Sequence, residues 1–130
     1  KSPIFRGGAT VFGPQPRSHA IKVNKKVQRL ARRSALSSKL QANQLYVVED
    51  IQMEAPKTKQ FQTFIDNLSL SGQPTLFVTN QQNRNVSLSL RNIPEVHEHR
   101  ARSLNTEAIL RYQYVLLSES VVSDLQETFK

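Results

Sequence analysis

Three short apolar runs, LYVV at 45–48, TLFVT at 75–79 and YVLL at 114–117, read as buried strands, with helical periodicity in the chain between them. Strands alternating with helical stretches imply a parallel sheet, because parallel neighbours are joined by a crossover that is usually a helix. Phe61, Phe64, Ile65 and Leu68 stand at i, i+3, i+4 and i+7 between the first two runs, and Pro56 suits a helix start. NVSLSLRN at 85–92 alternates like a strand, yet the crossover requirement assigns it to a helix, followed by a strand over 95–99. Residues 106–112 give a short helical connection, and Ser120 is expected to cap a final helix bearing Val121, Val122, Leu125 and Phe129. The predicted class is α/β, a mainly parallel four-stranded sheet flanked by helices, with an extended basic arm at the N-terminal end.

That arm follows from how charge is distributed. The 130 residues carry a formal charge of +8, but residues 1–40 hold ten Lys and Arg and no acid, while the remainder holds eight bases and ten acids. A nearly neutral body with a basic arm points to a polyanionic partner. Residues 1–21 mix three Pro and three Gly with their bases, which disfavours any regular element, so they form the arm and 22–130 the globular domain. From 24 to 40 the spacing turns helical, with Asn24 placed as N-cap. On a helical wheel with Val27 at zero, Val23, Leu30, Ala31 and Ala35 fall between about −60° and about +80°. Lys22, Lys25, Lys26, Arg29, Arg32, Arg33 and Lys39 fall between about 120° and about 260° on the same wheel. One face should pack and the other is cationic; Leu36 and Leu40 land in the basic arc, so the last turn should bend or be covered.

Several function classes are disfavoured. Without cysteine there is neither a disulfide framework nor a thiolate metal site, and no apolar run approaches the roughly 20 residues of a membrane span. The first residues lack the apolar stretch of a signal peptide, so secretion is not expected, and the absent initiator Met points to a processed or partial chain. Gly7 and Gly8 lie in the arm, not between a strand and a helix, and no phosphate-binding glycine fingerprint occurs, so the sheet reads as structural. His97 and His99 would share one side of a strand, but with only Glu95 or Glu98 nearby an exposed sheet edge is favoured over a metal site. Glu49 and Asp50 end a strand, where catalytic carboxylates often sit; no nucleophile or histidine is tied to them, and they read as polar strand-end residues. No cofactor is expected.

The basic helix face differs from an ordinary solvated surface because no acid interrupts it. Lys25 and Lys26 occupy the first turn, where the macrodipole opposes cations by a few tenths of a kcal/mol each. An outside anion at the free amides would offset that repulsion. Arg6, Arg17 and the flexible Gly7 and Gly8 let backbone approach a phosphate, and His19 could meet a base or phosphate or stay a solvated loop histidine. Phe5 and Phe12 either stack on unpaired bases, a habit of RNA binders, or anchor the arm hydrophobically.

The run KSPIFRGGATVFGPQPRSHAIKVNKKVQRLARRSALSSK, continued by LYVVEDIQMEAPKTKQF, TLFVTN and RSLNTEAILRYQYVLLSES, resembles the bacterial type of the large-subunit ribosomal protein L-four family over essentially the whole chain. The resemblance implies a non-enzymatic structural component of the ribosome that binds large-subunit rRNA, beside neighbouring ribosomal proteins, with no membrane and no homo-oligomer in the assembled particle. It implies an α/β domain on the outside of the subunit and a basic loop that helps line the nascent-peptide exit tunnel. The site is a bacterial cytoplasm or an organelle, chloroplast or mitochondrion. Carried over, residues 1–19 form the returning limb of the loop, with Arg6, Gly7, Gly8, Phe12, Pro14 and Arg17 on the family's pattern, and Asn24, Lys25, Lys26 and Arg29 form its basic helix start. The full expected RNA-binding set is Lys1, Phe5, Arg6, Gly7, Gly8, Phe12, Arg17, His19, Lys22, Asn24, Lys25, Lys26, Arg29, Arg32, Arg33 and Lys39.

Members of that family carry about a third of their length before this point, so the globular domain is expected to lack its first elements and to be marginally stable or prone to associate alone. A translational regulator acting on messenger RNA, or more distantly an α/β enzyme, are the alternative readings.

Overall fold

The computed structural model describes residues 1–80 and 83–129, without the side chain of Phe129. The regular elements among the described residues are α1 (Lys25–Gln41), β1 (Leu45–Val48), α2 (Thr58–Asn67), β2 (Thr75–Thr79), α3 (Arg84–Leu90), β3 (Val96–Arg100), α4 (Thr106–Arg111), β4 (Tyr114–Ser118) and α5 (Glu119–Phe129), with a 3-10 turn at Ala101–Ser103. The four strands form one sheet in the order β1-β4-β2-β3, and every pairing is parallel. The expected α/β class and its helix-flanked parallel sheet are thus present.

The central strands β2 and β4 are two of the three apolar runs, as a sheet covered on both faces requires, whereas LYVV, expected to be buried, is the edge strand β1 with Tyr46 and Val47 exposed. Leu76 and Val78 of β2, with Val115 and Leu117 of β4, pack beneath α4 and α5 against Ala108, Ile109, Val121 and Leu125. Phe77 and Leu116 point to the other face and meet Phe61 and Ile65 of α2 and Val86 and Leu90 of α3. Phe61 and Phe77 stand edge to face, 5.6 Å between centroids. Each fully buried side chain of this size contributes about 1.5–3 kcal/mol. Phe64 and Leu68 are half-buried at the rim of that cluster, so the spacing read from the sequence marks its packing stripe.

NVSLSLRN is helical through Leu90, with Arg91 and Asn92 in the turn that follows, and the reason is visible. The Asn83 side chain accepts from the Asn85 amide at 3.0 Å, which caps α3, and Val86, Ser89 and Leu90 form its buried face at i, i+3 and i+4. Ser89 accepts from the Lys57 amide at 2.9 Å, while the Asn85 side chain donates to the carbonyls of Met53 and Glu54, so α3 also fastens the irregular stretch before α2.

Other expectations fail. Ser120 does not cap the last helix: α5 begins at Glu119, and the Asp50 carboxylate accepts from the Ser120 hydroxyl at 2.8 Å and from its amide at 3.4 Å. The acceptor comes from the chain just after β1, because the parallel pairing of β1 with β4 brings their carboxyl ends together. On α1, Val27 and Leu30 are 52% and 66% exposed, and the packed positions are Ala31, Ala35, Leu36 and Lys39. α1 packs along α4, which has only six residues, about 9 Å of helix against about 25 Å for α1, so α4 can cover only part of it. The helix stays regular to Gln41, with Leu36 half-buried against the core and Leu40 exposed. Of the apolar residues expected on α5, Val121 and Leu125 are buried and Val122 half-buried; the side chain of Phe129 lies outside the described residues.

Candidate nucleic-acid interface

Residues 1–24 contain turns and bends but no helix or strand. The first nine close on themselves: the Phe5 amide donates to the Ser2 carbonyl at 3.2 Å, Gly8 to Phe5 at 2.8 Å and Ala9 to Lys1 at 3.4 Å. Pro3 occupies the second position of the first turn, where its fixed φ is favoured. Gly7 sits at the third position of the second turn with φ +72°, the sign that a type II turn demands there. Gly7 faces open space, whereas a Cβ on Gly8 would lie 2.2 Å from the Ser2 oxygen and 2.8 Å from the Phe5 oxygen. Of the two glycines expected to let a phosphate approach, only Gly7 leaves its surface open, and Gly8 is a packing position inside the turn.

Phe5 and Phe12 are 68% and 98% exposed, so neither anchors the arm to the body. Phe12 also holds φ +54°, the left-handed region that costs an L-residue about 1–2 kcal/mol. Lys1, Arg6, Arg17, His19 and Lys22 are exposed along the same stretch.

Asn24 precedes α1 as expected, and its carbonyl accepts from the Gln28 amide at 3.1 Å, but its side chain makes no capping bond. No acidic residue stands in the first turn, where Lys25 and Lys26 are exposed, followed by Arg29 and Arg33. The first-turn amides therefore point outward among cations, an arrangement that suits an anion. The side chain of Arg32 is half-buried and donates to the Leu104 carbonyl at 3.4 Å.

Lys39 departs from the basic face. It is buried, and its ammonium donates to the carbonyls of Tyr112 at 2.7 Å and Gln113 at 3.1 Å and to Gln44 Oε1 at 3.1 Å. Burial pushes its pKa below the ordinary lysine value. The wheel put it among the exposed bases because the packed stripe was set on Val27; the stripe is instead centred nearer Ala35, and Lys39 lies one turn along it.

At the carboxyl ends of the strands an open cleft of about 480 Å³ is lined by Asp50, Thr79, Arg84, Glu98 and Ser120 among others. Its carboxylates serve the fold: Asp50 caps α5, and Glu98 accepts from the Thr79 hydroxyl at 3.2 Å. His97 packs beside Tyr112 with ring centroids 5.1 Å apart, and the buried Nδ1 of His99 has no hydrogen-bond partner. Among the described residues no three His, Asp or Glu side chains are grouped to hold a metal ion. Sequence reasoning missed the capping by Asp50 and the fastening by Lys39, whose partners stand 70 and 73 positions away in the chain. No local signal could have found either.

The model of the ribosomal protein L4/L1 family matches residues 1–128. The large ribosomal subunit protein uL4 of Desulforapulum autotrophicum is 46% identical over 129 residues, covering 99% of this chain and 61% of that protein. Its counterpart in Parabacteroides distasonis is also 46% identical, over 99% of this chain and 62% of that protein. The one in Bacteroides thetaiotaomicron is 48% identical over 119 residues, 92% of this chain and 57% of that protein. The chain thus spans about three fifths of the length of the curated relatives it matches. With the family model matched from the closed turn at residue 1 into the last turn of α5, this chain belongs to the ribosomal protein L4/L1 family.

Proposed function

We propose that the chain is a structural, non-enzymatic constituent of the large ribosomal subunit that binds large-subunit rRNA and, through its arm, helps line or support the nascent-peptide exit tunnel. Residues 1–21 act as the RNA-threading arm and 22–130 as the globular domain, with neighbouring ribosomal proteins as further partners, in a bacterial cytoplasm like that of the named relatives. One observation carries this reading. Lys1, Arg6, Arg17, Lys22, Lys25, Lys26, Arg29 and Arg33 all stand exposed on the arm and the uncovered half of α1, with no acid in the first forty residues. Such a surface repels itself, and a polyanion alongside relieves that repulsion. The carboxylates of the cleft are engaged in holding the fold, which supports a structural over a catalytic role.

The test is a titration against a fragment from the 5′ region of large-subunit rRNA and an unrelated structured RNA across a salt series. Each phosphate contact should steepen log affinity against log salt by about 0.7–0.9. Clear preference for the ribosomal fragment at high salt supports the reading. Equal binding that salt abolishes for both RNAs would leave a merely sticky arm and refute it.

A further inference from the structure

The arm's first nine residues are more ordered than charge alone would require. SPIFRGG is fitted to two consecutive turns that share Phe5, closed by the bond from the Ala9 amide to the Lys1 carbonyl. Gly7 supplies the positive φ of the second turn, and Gly8 supplies the missing Cβ that lets the Ser2 and Phe5 carbonyls close over it. Arg6 stands exposed on the second turn, next to the exposed ring of Phe5 at the corner between the two. A basic arm that worked only as a counter-charge would need none of this fitting, since phosphate attraction is independent of sequence and tolerates a mobile chain. A turn fixed before binding avoids the ordering cost at the moment of contact and keeps a ring and a guanidinium in one relation. That pair suits an unpaired nucleotide, with the base on the ring and the phosphate on the guanidinium.

We propose that Gly8 is a positioning residue of the RNA interface: by closing the double turn it fixes Phe5 and Arg6 for one unpaired nucleotide, and so sets selectivity among RNAs where the charge sets only affinity. This rests on the rRNA-binding reading above. The experiment titrates wild type, Gly8→Ala and Arg6→Ala, each as the full chain, against the ribosomal fragment and the unrelated RNA across salt.

For Gly8→Ala, affinity for the ribosomal fragment should fall by about tenfold or more, with affinity for the unrelated RNA and the salt slope unchanged. Its thermal midpoint should match wild type, because the turn contributes nothing to the core. Arg6→Ala should lower the salt slope by about 0.7–0.9 on both RNAs. If wild type prefers the ribosomal fragment and Gly8→Ala keeps that preference, or loses affinity for both RNAs alike, the positioning role falls. If wild type itself shows no preference, the rRNA reading falls and the selectivity with it.

Discussion

The ammonium of Lys39 donates to the carbonyl oxygen of Tyr112 at 2.7 Å, tying the last turn of α1 to the connection between α4 and β4. The same nitrogen reaches Gln113 and Gln44, so one buried side chain serves three acceptors in part-buried hydrogen bonds.

Replacing Lys39 with Met should therefore cost about 1–3 kcal/mol, since acceptors left without a donor forfeit their solvation. Affinity for RNA should stay unchanged, in contrast to substitutions at Lys25 or Lys26. A chemical denaturation midpoint and an RNA titration on the same variant check both halves. The pH response has a definite sign: with the pKa lowered in the folded chain, the unfolded chain holds the proton more tightly. Wild-type stability should then rise relative to Lys39→Met as pH climbs through the alkaline window below the ordinary lysine value.

Asp50 caps α5 from the end of the neighbouring strand β1. Asp50→Ala should lower stability by about 0.5–2 kcal/mol, the usual cost of losing a cap, whereas Asp50→Asn keeps an acceptor and should lose less. Equal losses for the two variants in urea unfolding would contradict the capping role.

Phe12 combines a left-handed backbone with an almost fully exposed ring, a strained and unburied arrangement that the body of the protein does nothing to compensate. Phe12→Asn keeps the backbone and removes the ring. Stacking on a base is worth about 1–3 kcal/mol, so affinity for RNA should fall by about fivefold to a hundredfold, with thermal stability unchanged and Phe12→Trp close to wild type.

Lys25 and Lys26 oppose the dipole of α1. Each change to Ala should stabilise the free chain by about 0.3–1 kcal/mol at low salt while flattening the salt dependence of RNA binding by about 0.7–0.9. Opposite signs in the two measurements are the expected outcome, and a loss of stability would count against it.

Leu30 tests where α1 packs. Because it is exposed, Leu30→Gln should change stability by no more than about 0.5 kcal/mol. Ile65→Ala, at a position buried beneath the sheet, should cost about 2–5 kcal/mol. A large effect at Leu30 in denaturant unfolding would restore the face expected from the sequence.

The sequence by itself determined whatever depends on neighbours in the chain. LFV at 76–78 and YVLL are apolar runs because both faces of the central strands are covered, and Phe61 and Ile65 repeat at helical spacing because one side of α2 meets the sheet. The acid-free stretch over the first forty residues is likewise a linear fact, and it marks the candidate interface without any fold. Tertiary structure decided the rest. Only the order β1-β4-β2-β3 brings Asp50 to Ser120, and only the short reach of α4 decides which turns of α1 are covered. The helical wheel fixed how the residues of α1 are arranged about its axis but not where its partner sits. Lys39 was therefore read as a surface base, although packing against the connection after α4 makes it a buried donor. In the arm, composition marked flexibility, yet the closure of two turns over Gly8 depends on carbonyl positions that no count of glycines reveals.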